Sequence, residues 1–195
     1  LPIGDINNAQ TLLQVGEAYQ AIGMFTEAVK FYEKVKVIDS NKTYRDRVFL
    51  NLGKIHLERK NYNEATLVGR KFLQIYPRSK LVPDGMKLLA RALRGQGDFS
   101  EAINIYEDLL ARSSEKAEVH YFLGETFSEI NQLADAVQAY QRAIETYDRQ
   151  EKLIPEYLQN AYFHLGTSLF KLNRFGPAME ALKSNIVIPK VKKFN

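Results

Sequence analysis

The chain has 195 residues, 45% of them hydrophobic and 26% charged, and its 27 Lys and Arg exceed its 23 Asp and Glu by four. This composition suits a globular chain able to bury a sizeable core. No run approaches the ~18 apolar residues of a membrane span, and with no Cys there is neither disulfide nor thiolate chemistry.

The surplus charge is read as a solvated surface with a few extra lysines, not as a nucleic-acid footprint. The start, Leu1-Pro2-Ile3-Gly4, is neither an initiator Met nor a signal peptide, which predicts an excised piece or a mature chain.

Leu12, Val15, Tyr19 and Ile22 recur at helical spacing, and after Gly23 a second stripe runs through Phe25, Ala28, Phe31, Tyr32, Val35 and Ile38. The arrangement then repeats. Two small residues 12 apart appear as Gly16/Ala28, Gly53/Ala65, Ala90/Ala102, Gly124/Ala136 and Gly166/Ala178. Three residues after the first stands a large one: Tyr19, His56, Leu93, Phe127 and Leu169. Nine after it stands another: Phe25, Tyr62, Phe99, Leu133 and Phe175.

The slot between the stripes holds Gly23, Lys60, Gly97, Asn131 and Asn173, mostly residues that tolerate the left-handed conformation ending a helix. Asn61 follows Lys60, which predicts a cap shifted by one residue in the second copy. Successive copies are 37, 37, 34 and 42 residues apart, so 34 is the unit. The additions fall in "DSNKTY", in "PRSKLVP" and around "YDRQEKLIPEY", where Pro155 is expected in the first turn of a helix. In "NIVIPKVKKFN" the last helix is expected to end near Ile188-Pro189. That run docks back on the last unit or leads into further repeats, and Lys190, Lys192 and Lys193 read as a solvated tail.

A 34-residue helix-turn-helix unit with this small-small and aromatic pattern resembles the tetratricopeptide repeat (TPR). The resemblance covers roughly residues 9 to 188. It implies an all-α fold: a right-handed TPR superhelix (α-solenoid) of about five repeats, near 9–42, 46–79, 83–116, 117–150 and 159–192, in a single domain, 1–195. There are departures. The fourth-position aromatic is Phe49 or Tyr162 in two copies but Leu12, Met86 and His120 in the others. The helix-B aromatic is Tyr32, Tyr106 and Tyr140, but Gly69 and Leu182 elsewhere, and the closing proline survives only as Pro77. A narrower stretch, "IYPRSKLVPDGMKLLARALRGQGDFSEAINIYEDLL", looks like the lengthened repeats of bacterial envelope proteins, among them outer-membrane assembly lipoproteins and periplasmic cell-division coordinators. It tilts the expected location toward the periplasm over the cytoplasm.

The residues offer no catalytic or metal constellation. Gly95-Gln96-Gly97 follows a helix, lacks a third glycine and lacks the Lys-Ser/Thr of a phosphate loop. His56 occupies an interior slot and reads as a packed core histidine. His120 and His164 lack a ligand-type residue at i+4. Carboxylates fall beside Lys or Arg at helix-surface spacing, as Glu27 does with Lys30. No enzyme activity, cofactor or metal is expected.

A solenoid offers a concave surface instead. The family pattern implies that the second, fifth, ninth and twelfth positions of each unit face the groove. Among these, Lys54, Lys87, Arg91, Arg94, Tyr121, Glu125, Phe163 and Phe170 are the candidate partner-binding residues. The cations would form a basic centre, and the aromatics, exposed beside Arg, would act as interface anchors. Phe163 and Phe170 have a second reading, burial against an extended helix or a missing next unit. The clamp by which family members hold the C-terminal carboxylate of cytosolic chaperones requires Lys, Asn and Arg at aligned positions. Leu13, Glu17, Asn51, Asp84 and Leu88 do not supply the set, nor do the shifted registers. The expected function is a non-catalytic scaffold that binds a peptide or helix of a partner protein through acidic and apolar contacts. Head-to-tail self-assembly is the alternative, and RNA binding a third.

Overall fold

The computed structural model describes residues 8–112, 116–147 and 154–187, with side chains through 184. Among the described residues the expected repeats appear as ten helices: α1 (Ala9–Ala21), α2 (Phe25–Ile38), α3 (Arg45–Glu58), α4 (Tyr62–Ile75), α5 (Val82–Gln96), α6 (Phe99–Arg112), α7 (Lys116–Glu129), α8 (Leu133–Glu145), α9 (Glu156–Lys171) and α10 (Phe175–Val187). They form two compact units, residues 1–98 with α1 to α5 and residues 99–195 with α6 to α10. The boundary falls in the turn inside the third repeat.

One local device closes the first helix of every repeat. The slot residue is left-handed in all five copies, with φ of 78° at Gly23, 59° at Lys60, 88° at Gly97 and 60° at Asn131 and Asn173. The amide after it then reaches back to the carbonyl of the large slot residue: Met24 to Tyr19, Asn61 to His56, Asp98 to Leu93, Gln132 to Phe127 and Arg174 to Leu169, at 2.8–2.9 Å. These bonds satisfy carbonyls that the helix end would otherwise orphan. Lys60 adopts the left-handed conformation itself, so the expected shift of the cap to Asn61 does not occur. The reason is register: the His56 carbonyl can be reached only if the turn bends one residue before Asn61.

The longer connections are held by single side chains. Asp39, buried after α2, accepts from the amides of Thr43 (3.0 Å) and Tyr44 (2.8 Å) and so ties down the first insertion. Lys42 in that loop is also left-handed, at φ 58°. The Ser79 hydroxyl donates to Asp46 and accepts from the Leu81 amide, which anchors the second insertion. Pro155 stands just before α9 with extended backbone, one residue earlier than expected. Most of the third insertion, like residues 1–7 and 188–195, lies outside the described residues.

The repeat glycines mark close approaches of a neighbouring side chain, a ring at Gly16 and Gly124 and an aliphatic group at Gly53 and Gly166. A Cβ on Gly16 would stand 2.6 Å from the Tyr32 ring, and one on Gly124 2.6 Å from the Tyr140 ring. In the first unit Leu13, Tyr32 and Val35 pack with Val48 and Ile55, and Leu50 and Phe72 pack with Leu88 and Ala92. Where α4 carries Gly69 in place of the aromatic, α5 comes close enough for Leu89 to fill the space. The second unit is built around Tyr121, Tyr140, Leu165 and Leu169.

Candidate functional site

The four candidate cations lie on two neighbouring first helices of the first unit, Lys54 on α3 and Lys87, Arg91 and Arg94 on α5. Spacings of four and three residues place the α5 cations on one helix face. All four side chains are half-buried. Lys87 is 15% exposed and its Nζ lies 3.1 Å from Asp84 Oδ1. Arg91 and Arg94 line a cleft of about 180 Å³ with Leu57 and Tyr62, and Glu58 and Lys60 complete its wall. Gly95 permits this arrangement, because a Cβ there would stand 2.4 Å from the Tyr62 ring. Its role is close packing.

Toward the N-terminus the same unit joins its repeats through a polar network. Arg47 donates to Glu17 through Nε (2.6 Å) and Nη2 (2.8 Å), and buried Asn51 donates to Glu17 from Nδ2 (3.0 Å). Tyr32 donates its hydroxyl proton to Gln20 at 2.7 Å. Burial, reinforced by the Glu17 charge, pushes the Tyr32 phenol well above its ordinary pKa. Position in the repeat names Glu17 and Arg47, but the contact between them joins residues 30 apart and belongs to the tertiary structure.

In the second unit Tyr121 departs from the expectation of an exposed anchor. It is 6% exposed and packs near the rings of Phe122, Tyr140, Tyr157 and His164. The cause is general: the fifth position of a repeat is covered by the next first helix, as the buried Leu13 and Leu50 confirm in the first unit. The Tyr121 hydroxyl donates to Glu125 at 2.7 Å, and burial together with that carboxylate raises its pKa far beyond the phenol range. His164 Nε2 stands 4.0 Å from Glu125, yet burial is the larger influence and holds the imidazole below its usual pKa.

Phe163 and Phe170, seven residues apart on α9, are 48% and 60% exposed. Phe170 meets Phe175 edge-on at 5.3 Å between centroids. Phe175 and Met179 on α10 are exposed as well, although the repeat pattern places Phe175 among the packing residues. His56 is half-buried and not enclosed in a core. It lines a cleft of about 390 Å³ beside Glu33 and Arg59, with Nδ1 buried and unbonded. Among the described residues no three His, Cys, Asp or Glu side chains gather as a metal site, and no helix is long and apolar enough to cross a membrane.

Residues 11–44 and 87–151 each match a family model of the tetratricopeptide repeat. The chain is a tetratricopeptide repeat protein. Its fold is that of several solved TPR structures. MamA from Desulfovibrio magneticus RS-1 superposes with a TM-score of 0.68 at 17% identity, covering 95% of this chain and 97% of that one. A thermophilic TPR protein of Thermus thermophilus gives 0.70 at 17% identity, covering 94% and 93%. A TPR protein of Parabacteroides merdae gives 0.71 at 15% identity, covering 97% and 68%. No curated protein matches the chain.

Proposed function

We propose that this TPR protein is a non-catalytic interaction module that binds an acidic peptide or helix of a partner protein on the cationic face of α3 and α5. The observation that carries this reading is the placement of Lys87, Arg91 and Arg94 on successive turns of α5, with Lys54 on the neighbouring α3. Residues 78–96 hold five Lys or Arg against the single acid Asp84. Guanidinium groups in a partly apolar cleft are suited to forked recognition of carboxylates. Leu57 and Tyr62 in the same cleft supply an apolar floor for a side chain beside the acid.

The test is fluorescence anisotropy with labelled amphipathic peptides that differ only in carrying Glu or Gln at the charged positions. Glu peptides should bind and should weaken as salt rises. Arg91→Glu/Arg94→Glu should lower affinity at least tenfold, about 1.4 kcal/mol, without altering the far-UV CD spectrum. Lys87 is left in place because its partner Asp84 would face a like charge. Equal binding of the Glu and Gln peptides, or an unaltered affinity in the double variant, would sink the proposal.

A further inference from the structure

The joint between consecutive repeats has a fixed composition wherever it lies inside a unit. On the receiving side, the fifth position is buried at Leu13, Leu50 and Tyr121, and the seventeenth is half-buried at Phe25, Tyr62 and Leu133. Arg59, at the fourteenth position of the following helix, stacks over Phe25, with its guanidinium carbon 5.5 Å from the ring centroid. Gly95, at the thirteenth, lies against Tyr62. On the covering side, positions three, seven and ten of each first helix carry small or aliphatic groups. These are Val48, Leu52 and Ile55 in α3, and Ala161, Leu165 and Ser168 in α9. All are buried except Leu52, which is half-buried.

Two faces of the chain match the two sides of this joint without making it. Phe163, Phe170, Phe175 and Met179 occupy the fifth, twelfth, seventeenth and twenty-first positions of the last repeat, and all four are exposed. Thr11, Val15, Ala18 and Ile22 occupy positions three, seven, ten and fourteen of the first. Thr11 and Val15 are half-buried, Ala18 is exposed and Ile22 is 69% exposed.

We infer that the receiving face of α9 and α10 docks α1 of a second copy of this chain, reproducing between molecules the joint made between repeats. In that register Ile22 would take the place over Phe175 that Arg59 takes over Phe25. Charge selects this pairing over one between two identical receiving faces. The exposed charged residues from 170 to 184 are Lys171, Arg174 and Lys183 against one acid, Glu180, so pairing two such segments would bring like charges together. Residues 8–29 contain Glu17 and Glu27 and no Lys or Arg, so α1 brings no like charge. The contact is heterologous, using different patches on the two molecules, and therefore propagates into rings or open chains. It uses none of the cations of the proposed peptide site and stands or falls apart from it.

Sedimentation velocity on the 195-residue chain tests the inference. Average mass should at least double over about a hundredfold rise in concentration and continue past the dimer. Phe170→Asp/Met179→Asp blocks the receiving face, and Ala18→Asp/Ile22→Asp blocks the covering face. Each variant alone should be monomeric, with an unaltered far-UV CD spectrum, since every replaced side chain is exposed. Mixed, the two retain one intact face each and should form a 1:1 dimer that grows no further. Arg91→Glu/Arg94→Glu should assemble like wild type. A wild type that stays monomeric at the highest soluble concentration overturns the inference. So does a covering-face variant that still dimerises alone, or a mixture of the two variants that remains monomeric.

Discussion

Gly124→Ala adds one methyl group where a ring already lies. The new Cβ would stand 2.6 Å from both Cδ1 and Cε1 of Tyr140 and 3.0 Å from its Cγ, against the roughly 3.5–4.0 Å of an unstrained carbon contact. Relief requires a ring displacement of about 1 Å. Tyr140 is buried, with Tyr121 and His164 close by at 6.2 and 5.7 Å between centroids, so it has little room to retreat. Overpacking of this kind costs about 1–3 kcal/mol, offset by about 0.5–1 kcal/mol because alanine is the better helix former. The expected net loss is about 1–2 kcal/mol. Gly176→Ala is the matched control. It also lies in a helix, and nothing stands within 4 Å of its added Cβ. In the first turn of α10 and just before Pro177, it gains little helix propensity, so its effect should stay within about 0.5 kcal/mol. Urea denaturation followed by far-UV CD compares the midpoints. In a Tyr140→Leu background the cost of Gly124→Ala should shrink by about 1 kcal/mol, because the two residues are coupled through the same space. If Gly124→Ala is as stable as wild type, or its cost is independent of residue 140, the close approach is not what requires a small residue there.

Two further outcomes follow from the turns and from burial. Lys60→Gly should raise stability by about 1 kcal/mol, since lysine holds a left-handed φ of 59° that costs a residue with a Cβ about 1–2 kcal/mol. A midpoint unmoved or lowered in urea refutes it. The second concerns acid. Burial holds both His120 and His164 below the ordinary histidine pKa, with the Arg142 and Lys116 charges adding to it at His120. The unfolded chain therefore binds protons first, so stability should be flat above about pH 6.5 and fall as pH drops below it. His120→Gln/His164→Gln should flatten the decline measured by thermal melts, and a melting temperature that rises on acidification through that range contradicts the assignment.

The repeat was legible because a helix hairpin is specified locally. Apolar residues three and four apart, a slot for a left-handed residue and two small residues 12 apart all lie within one 34-residue unit, and each acts on its near neighbours. Gly23, Gly97, Asn131 and Asn173 announce their turns by residue type. Lys60 could be placed only by its register, and the fold confirmed the register over the residue preference. The candidate surface was less legible, because whether a repeat position faces solvent depends on what the next repeat brings to it. Tyr121 and Phe163 share the fifth position and an aromatic ring. The first is buried because α9 lies over it, and the second is exposed. Likewise nothing local to Gly95 announces the Tyr62 ring that lies against it.

The sequence by itself therefore determined the helices, their turns and the repeat, since these follow from periodicity and from the steric range of single residues. Only the tertiary structure decided which groove positions are walls and which are joints, and that Glu17 is held by Arg47 and Asn51. It likewise revealed that Phe163, Phe170, Phe175 and Met179 of the last repeat are exposed. Contacts between residues 30 or more apart depend on how neighbouring helices pack, and no single segment carries that information.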